Sequence, residues 1–182
     1  NEHNYFIPQS KLKIIKTWPF IYWISDEFRE KFKGTSVKDL LKNCQGLATA
    51  NNLRFLRFWW ELSEKRKIYD DNSWVFYAKG GPYKKWSGNL WLMVNWKSNG
   101  AEIRSYTDET GKVKSRPQNE SVFFKEGVTY SASGSKGPSY RLLPEGCIFD
   151  VGGSCIFPIK KYKNTAYILA FFNSTFSKYV VE

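Results

Sequence analysis

The sequence predicts an α+β fold, with a mixed or antiparallel sheet in the middle and second half and helices at both ends. Three observations carry this reading. Short apolar runs broken by Gly and Pro crowd residues 74–157, the signature of strands and turns. Apolar residues at helical spacing flank that stretch: Phe20, Ile21, Ile24, Phe28 and Phe32 on one side, Tyr167, Ile168, Ala170, Phe171 and Phe172 on the other. The 182 residues, 42% of them hydrophobic, suffice for one domain with a proper core.

Taken in order, residues 1–17 are polar and basic and read as a lead-in or linker, leaving 18–182 as the domain. Pro19 suits a first helical position, the apolar period predicts a helix over 20–32, and Gly34 ends it. Thr35 and Ser36 precede a short helix over 37–42. After a loop led by Gly46, Asn51 or Asn52 caps a helix running to about Arg66. Leu53, Leu56 and Trp60 form one apolar stripe on it, and Phe55, Trp59 and Leu62 a second, leaving Arg54, Arg57 and Glu61 on the remaining face. Asp70 to Asn72 is a turn. Residues 74–77 and 90–96 are strands, separated by the Gly80-Gly81-Pro82 turn, and Asn99-Gly100 is a further turn. Residues 103–106 fit a short strand or helix, and 107–121 a polar loop. Strands follow over 121–124, 127–131, 140–143, 147–150 and 154–157, then a helix over 163–179.

Charge narrows the partners. Twenty-eight Lys and Arg against 17 Asp and Glu give +11, spread along the whole chain. Such a balance favours nucleic acid first and an anionic membrane surface second. Eight Trp exceed what a core of this size needs, so some belong to a binding surface. Three cysteines, Cys44, Cys147 and Cys155, are too few and too odd in number for a disulfide scaffold; buried thiols in a reducing compartment are expected. One histidine, His3, and no Cys-x-x-Cys pair argue against a zinc site and against Ser-His or Cys-His catalysis. No apolar run approaches the ~18 residues of a membrane span, and no secretory signal pattern is present. The start without Met and the end on Val180-Val181-Glu182 set the expectation of a piece of a longer polypeptide.

Three loops carry candidate binding residues. Residues 77–89 hold Lys79, Lys84 and Lys85 beside Gly80, Gly81 and Gly88, with Tyr83 and Trp86 among them. Glycine lets backbone N–H groups approach an anion, lysine contacts phosphate, and the rings can pack on sugars or bases. Residues 112–120 contain Arg116, Gln118 and Asn119, the side-chain types that read base edges. Residues 131–139 are small, with Ser133, Ser135 and Lys136 placed to approach a backbone or a groove. Arg54 and Arg57 either reach the same partner or, as an Arg57–Glu61 pair, decorate a core helix. The plainer reading of each loop is a solvated basic segment.

Several segments resemble one family when taken together. They are Gly46-Leu47-Ala48-Thr49-Ala50-Asn51-Asn52 with Phe55-Leu56-Arg57-Phe58-Trp59-Trp60-Glu61, Lys79-Gly80-Gly81 with Lys85-Trp86-Ser87-Gly88-Asn89, and Val94-Asn95-Trp96. Further on come Ser115-Arg116-Pro117-Gln118-Asn119, residues 124–130, Leu143-Pro144-Glu145-Gly146-Cys147-Ile148-Phe149-Asp150 and residues 167–174. Over residues 18–176 their order and spacing resemble the target-recognition region of large adenine-specific DNA methyltransferases, including the BREX phage-defence enzyme and type IIG restriction-modification enzymes. The resemblance implies that this region grips double-stranded DNA while the target adenine is flipped out. It also implies a catalytic domain of the same polypeptide that uses S-adenosylmethionine, in the cytoplasm of a bacterium or archaeon. The family's Asn/Asp-Pro-Pro-Tyr motif and Gly-rich cofactor motif are missing from these 182 residues, so the fragment by itself is expected to be inactive. Two other readings stay open: a protein-docking module of the same complex, and a single-strand or RNA binder.

Overall fold

A computed structural model describes residues 5–16, 19–62, 73–159 and 164–181. It divides into two compact units, Asn1–Leu40 and Leu41–Glu182. The expected Asp70 to Asn72 turn, and the ends of the predicted helices at Arg66 and Lys163, lie outside the described residues.

The first unit holds three short helices, α1 (Gln9–Leu12), α2 (Asp26–Glu30) and α3 (Val37–Leu40), with a 3-10 turn at Lys31–Lys33. The helix predicted over 20–32 is therefore much shorter. Its start is fixed by Ser25, whose hydroxyl accepts the Phe28 N–H at 3.2 Å as an N-cap. The preceding residues stay non-helical because the buried Arg29 guanidinium donates to the carbonyls of Ile21 (2.9 Å) and Ile24 (3.4 Å). Asp26 sits between Arg29 and an ion pair with Lys11.

The second unit is built on two four-stranded sheets. Strands β1 (Leu41–Cys44), β5 (Gly127–Tyr130), β6 (Tyr140–Leu143) and β8 (Cys155–Pro158) form an antiparallel sheet in the order β1-β8-β5-β6. Strands β2 (Leu56–Phe58), β3 (Trp74–Ala78), β4 (Leu92–Asn95) and β7 (Cys147–Phe149) form the order β2-β4-β3-β7, antiparallel except for the parallel β3–β7 pair. Both sheets supply one core, which includes Cys44, Leu143, Cys155 and Phe157 from the first and Leu56, Val75, Tyr77, Val94 and Ile148 from the second. Period-2 alternation turns Val128, Tyr140 and Ile156 to the first sheet's opposite face, where they meet Ile168, Leu169 and Phe172. Those three belong to helix α6 (Thr165–Asn173), capped by Asn164, whose side chain accepts the Tyr167 N–H at 2.9 Å. Between the strands, α4 (Asn52–Phe55) and α5 (Lys97–Arg104) complete the unit with α7 (Thr175–Val181); α5 is kinked, because Ser98, Asn99 and Gly100 take left-handed φ of 50°, 56° and 71° at the expected Asn99-Gly100 turn.

The α+β reading stands, but besides the shortened helix over 20–32, four further elements differ from expectation. The helix over 52–66 is one turn, α4, followed by strand β2 and a 3-10 turn at Trp59–Glu61. Asn51 caps α4 through the Arg54 N–H at 3.0 Å, yet pairing of Leu56, Arg57 and Phe58 with Val94, Met93 and Leu92 overrides helix propagation. The two apolar stripes thus do not exist as faces: Leu53 is 91% exposed whereas Phe55 and Leu56 are buried. The helix over 37–42 stops at Leu40, because Leu41 and Lys42 join β1 against Pro158 and Phe157. The strand over 121–124 is a 3-10 turn, Glu120–Val122, entered through Asn119 at φ 52° and left at Phe124, φ 66°, which cannot continue a ladder. The C-terminal helix is broken at Ser174, whose hydroxyl donates to the Phe171 carbonyl and accepts the Ser177 N–H, ending α6 and opening α7.

All three cysteines are buried free thiols, with Cys44 directly opposite Cys155 in the β1–β8 ladder. Burial pushes the Cys147 thiol up to about 11 and raises those of Cys44 and Cys155. Glycine is required at Gly46, where a Cβ would lie 1.9 Å from the Phe149 carbonyl oxygen. That approach brings the chain beside β7, with the Leu47 N–H donating to Phe149 O at 2.8 Å.

Candidate nucleic-acid interface

The 80–89 loop reaches its place because it lies along the edge of strand β6. The Trp86 N–H donates to Tyr140 O (2.9 Å), and the Leu142 N–H donates to Trp86 O (2.9 Å). Trp86 takes φ 75° to do so and leaves its indole exposed. The Lys85 ammonium donates to Asn173 O at 3.0 Å, the C-terminal end of α6, where a cation also meets the negative end of the helix dipole. Asn173 in turn brackets Tyr140, accepting its N–H at 3.2 Å and donating to its carbonyl at 2.8 Å.

The 131–139 loop joins β5 to β6 and so faces the same region. Ser131 fastens the two loops: its Oγ accepts the Gly81 N–H (3.1 Å) and donates to Gly81 O (3.0 Å). At Gly80 only glycine fits, because a Cβ would meet the Gly152 carbonyl oxygen at 2.6 Å. The result is a cleft of about 300 Å³ lined by Tyr83, Ser131, Ser133, Ser135, Lys136 and Ser139 together with Gly81, Pro82, Gly134 and Gly137. Of the residues expected to bind, Tyr83, Ser133, Ser135 and Lys136 are thereby brought together. Lys84 and Trp86 sit on the same loop, both exposed.

Sequence reading missed the residue behind this cleft. Arg141, in β6, is 0% exposed, and its neighbours in the register are Thr129 and, one strand on, Cys155. Its Nη1 donates to Ser139 O and Oγ (both 3.3 Å) and to Lys84 O (3.4 Å), and its Nη2 donates to Ser131 Oγ (3.3 Å). Every one of these acceptors is neutral. Among the described residues no carboxylate pairs with it, and its Nε has no partner. Burial pulls the guanidinium below its ordinary value, yet a group this basic keeps its charge near neutral pH. A signal was available: one arginine inside the apolar run Tyr140-Arg141-Leu142-Leu143, at an inward position of the alternation.

The other expected residues lie elsewhere and have different surroundings. Arg116 is fixed by its backbone, exchanging bonds with Ala48 (2.9 and 3.1 Å), and its exposed side chain has no partner among the described residues. Gln118 and Asn119 spend their amides on the carbonyls of Gly46 (3.3 Å) and Gln45 (2.9 Å). Arg54 pairs with Glu102 at 2.8 Å, over the Tyr106 ring. Arg57 donates to Leu53 O and Leu56 O, and the Glu61 carboxylate accepts the Phe58 N–H rather than pairing with Arg57. Lys79 and Arg57 line a second, more apolar hollow of about 490 Å³ with Leu53, Phe58 and Trp91.

No family model matches the chain. It is 34% identical over 189 residues to the adenine-specific methyltransferase PglX of Lacticaseibacillus casei (strain Zhang), covering 98% of this chain and 16% of that protein. It is 32% identical over 176 residues to the adenine-specific methyltransferase BrxX of Escherichia coli O9:H4 (strain HS), covering 94% and 14%. The chain is homologous to a segment of these adenine-specific methyltransferases. It spans about one sixth of their length, so the comparison ties it to part of such a protein. Among the described residues, no three of His, Cys, Asp and Glu group to hold a metal ion, and no helix is long and apolar enough to cross a membrane.

Proposed function

We propose that the chain is the target-recognition domain of an N6-adenine DNA methyltransferase in a phage-defence or restriction-modification system, holding double-stranded DNA for a catalytic domain of the same polypeptide. One observation carries this: two loops rich in Gly, Ser and Lys, far apart in sequence, meet in a cleft whose charged lining residue, among the described residues, is the cationic Lys136, in a chain of net charge +11. The homology to adenine-specific methyltransferases supplies the parent activity. Lys84, Lys136 and Arg116 have exposed cationic side chains and take phosphates first. Lys79, Lys85, Arg54 and Arg57 carry internal contacts or line the second hollow and come after them. Tyr83 and Trp86 pack on the sugar–phosphate edge. Base readout falls to Arg116, with Gln118 and Asn119 available only if they leave the carbonyls they now hold; Ser133 and Ser135, base-reading candidates by sequence, lie in the cleft beside Lys136 and face the DNA backbone.

S-adenosylmethionine does not fit this cleft. Its sulfonium is a cation, and Lys136 and the buried Arg141 already make the site positive. The cofactor is assigned to a catalytic domain of the parent, as the similarity to adenine-specific methyltransferases suggests.

A docking role for a second surface is favoured by the hollow beside Leu53, where Phe58, Trp59 and Trp60 are exposed and Phe58 stacks on Trp60 at 4.6 Å. That surface suits another part of the same polypeptide and coexists with a DNA-binding cleft.

The test is anisotropy of labelled duplex, single-stranded DNA and RNA across a salt series. Duplex preference with a steep negative slope of log K against log salt is expected. Lys84→Ala with Lys136→Ala is expected to flatten the slope by about 2 and to weaken all duplex sequences alike. Salt-insensitive binding, or preference for single strands, would sink the reading.

A further inference from the structure

Ion pairs elsewhere in the molecule neutralise buried or half-buried arginines: Arg29 has Asp26, and Arg104 has Glu120. Arg141 is the exception. Like Arg29 it is wholly buried, donates only to neutral oxygens and has an unsatisfied Nε, but where Arg29 has the Asp26 carboxylate at 4.0 Å, no carboxylate among the described residues pairs with Arg141. Burying a cation without a counter-charge is costly, and such a group persists where its field is used. Its field opens on the cleft. Two of the acceptors that hold the guanidinium, Ser131 and Ser139, are walls of the cleft. On the solvent side, Lys136, Ser133 and Ser135 line the same space, and none of their side chains has a partner among the described residues. The hydroxyls are donors without an acceptor, and the ammonium is a cation without an anion. A cleft of about 300 Å³ is at the small end of ligand sites. It has room for one tetrahedral oxyanion and its attached sugar, and none for a base pair.

We propose that this cleft is a phosphate-binding subsite, with Arg141 as a fixed buried charge, Lys136 as the direct ion partner and Ser133 and Ser135 as hydroxyl donors. The missing counter-charge of Arg141 is the bound phosphate. Resting on the reading above, the phosphate is one of the DNA backbone; it fixes the duplex in register and carries no sequence information. A terminal phosphate of a small nucleotide would satisfy the same chemistry. Arg141 acts as a positioning residue through Ser131 and Ser139, since it does not itself line the cleft.

The experiment uses the full 182-residue chain and its Ser135→Glu variant, which places a carboxylate at the exposed rim without touching the core. Inorganic phosphate is titrated at constant ionic strength against chloride while amide resonances of residues 131–139 are followed by NMR. In parallel, labelled duplex is titrated by anisotropy. Saturable phosphate-specific shifts in 131–139 that Ser135→Glu abolishes, with duplex affinity lowered tenfold or more and the salt slope reduced by about 1, are the expected result. Arg141→Gln, where it folds, should lower duplex affinity and weaken the phosphate-induced shifts, with amide changes in the free chain confined to the segments around Lys84, Ser131 and Ser139 that it holds. No phosphate-specific shift, together with duplex affinity within twofold of the parent in Ser135→Glu, would overturn the subsite while leaving DNA recognition standing. Phosphate shifts with no duplex binding by either protein would keep the subsite, assign it to a small phosphorylated ligand, and overturn DNA recognition instead.

Discussion

The cleft formed by residues 80–89 and 131–139 and the ledge formed by residues 45–57 with 102–120 both carry basic and amide side chains, and use them in opposite ways. On the ledge they are turned inward. Arg54 holds Glu102, Arg104 holds Glu120, Arg57 holds backbone carbonyls, and Gln118 and Asn119 hold Gly46 and Gln45. At the cleft, Lys84 and Lys136 face solvent, and even the buried Arg141 is left without a counter-charge. Basic composition alone therefore does not locate a binding surface. A cation already satisfied within the fold contributes rigidity, and only an unsatisfied one contributes field. Arg116 and Lys112 are exceptions on the ledge: among the described residues their exposed side chains have no partner, and the Arg116 backbone is bonded on both sides to Ala48.

The largest expected effect breaks the ledge. In Gly46→Ala the new methyl would meet the Phe149 carbonyl at 1.9 Å, a clash with backbone that no rotamer relieves. The Leu47–Phe149 bond goes with it, as does the Tyr77 hydroxyl, which donates to Leu47 O at 2.6 Å and lies 2.9 Å from Asp150 Oδ1. A loss of about 4 kcal/mol or more is expected in chemical denaturation, enough to unfold many domains of this size. Near-native stability would show that the ledge yields easily and that its inward contacts do not define it.

Lys84 and Lys85 sharpen the comparison within the cleft itself, because adjacent residues fall on either side of it. Lys85→Ala removes the ammonium from the Asn173 carbonyl at the end of α6 and should cost about 1 kcal/mol of stability. Lys84→Ala removes an exposed cation and should leave stability unchanged while flattening the salt dependence of duplex binding by about 1. Thermal melts and anisotropy on the two variants separate the roles, and equal behaviour would erase the distinction.

Much of the sheet was legible in the sequence because strands such as Trp74–Ala78, Tyr140–Leu143 and Cys155–Pro158 carry their apolar runs between Gly and Pro punctuation. What was not legible depends on distant partners. Residues 56–58 are strand because β4 accepts them, although their aromatics also satisfy a helical period. Leu41 and Lys42 are strand because Pro158 and Phe157 lie opposite. The break at Ser174 did have a local cue, the Asn173-Ser174-Thr175 run, which was outvoted by the surrounding apolar residues. For the site, both cleft loops stood out by composition, but their meeting depends on Trp86 bonding to β6, a contact between residues 54 apart in the chain by Tyr140. Arg141 was readable only as an anomaly in its strand.

The smallest effect tests whether the ledge's pairs are stabilising at all. The Arg104 guanidinium donates to both oxygens of Glu120 and holds that carboxyl below its ordinary value, while Glu120 holds Arg104 above its own. The side chains are 36% and 41% exposed, so solvent screens the pair and its worth is about 0.5 kcal/mol. Because the folded carboxyl titrates below the unfolded one, that contribution is fully present above the unfolded value and is lost as pH falls through the folded value. Glu120→Gln should therefore differ from the parent by about 0.5 kcal/mol at neutral pH, and the difference should vanish in acid below the depressed value. A difference that persists unchanged into acid would mean the glutamate acts through shape and not charge. The ledge would then owe its rigidity to backbone contacts such as Arg116 with Ala48, leaving its arginines free to face DNA as Lys84 and Lys136 of the cleft do.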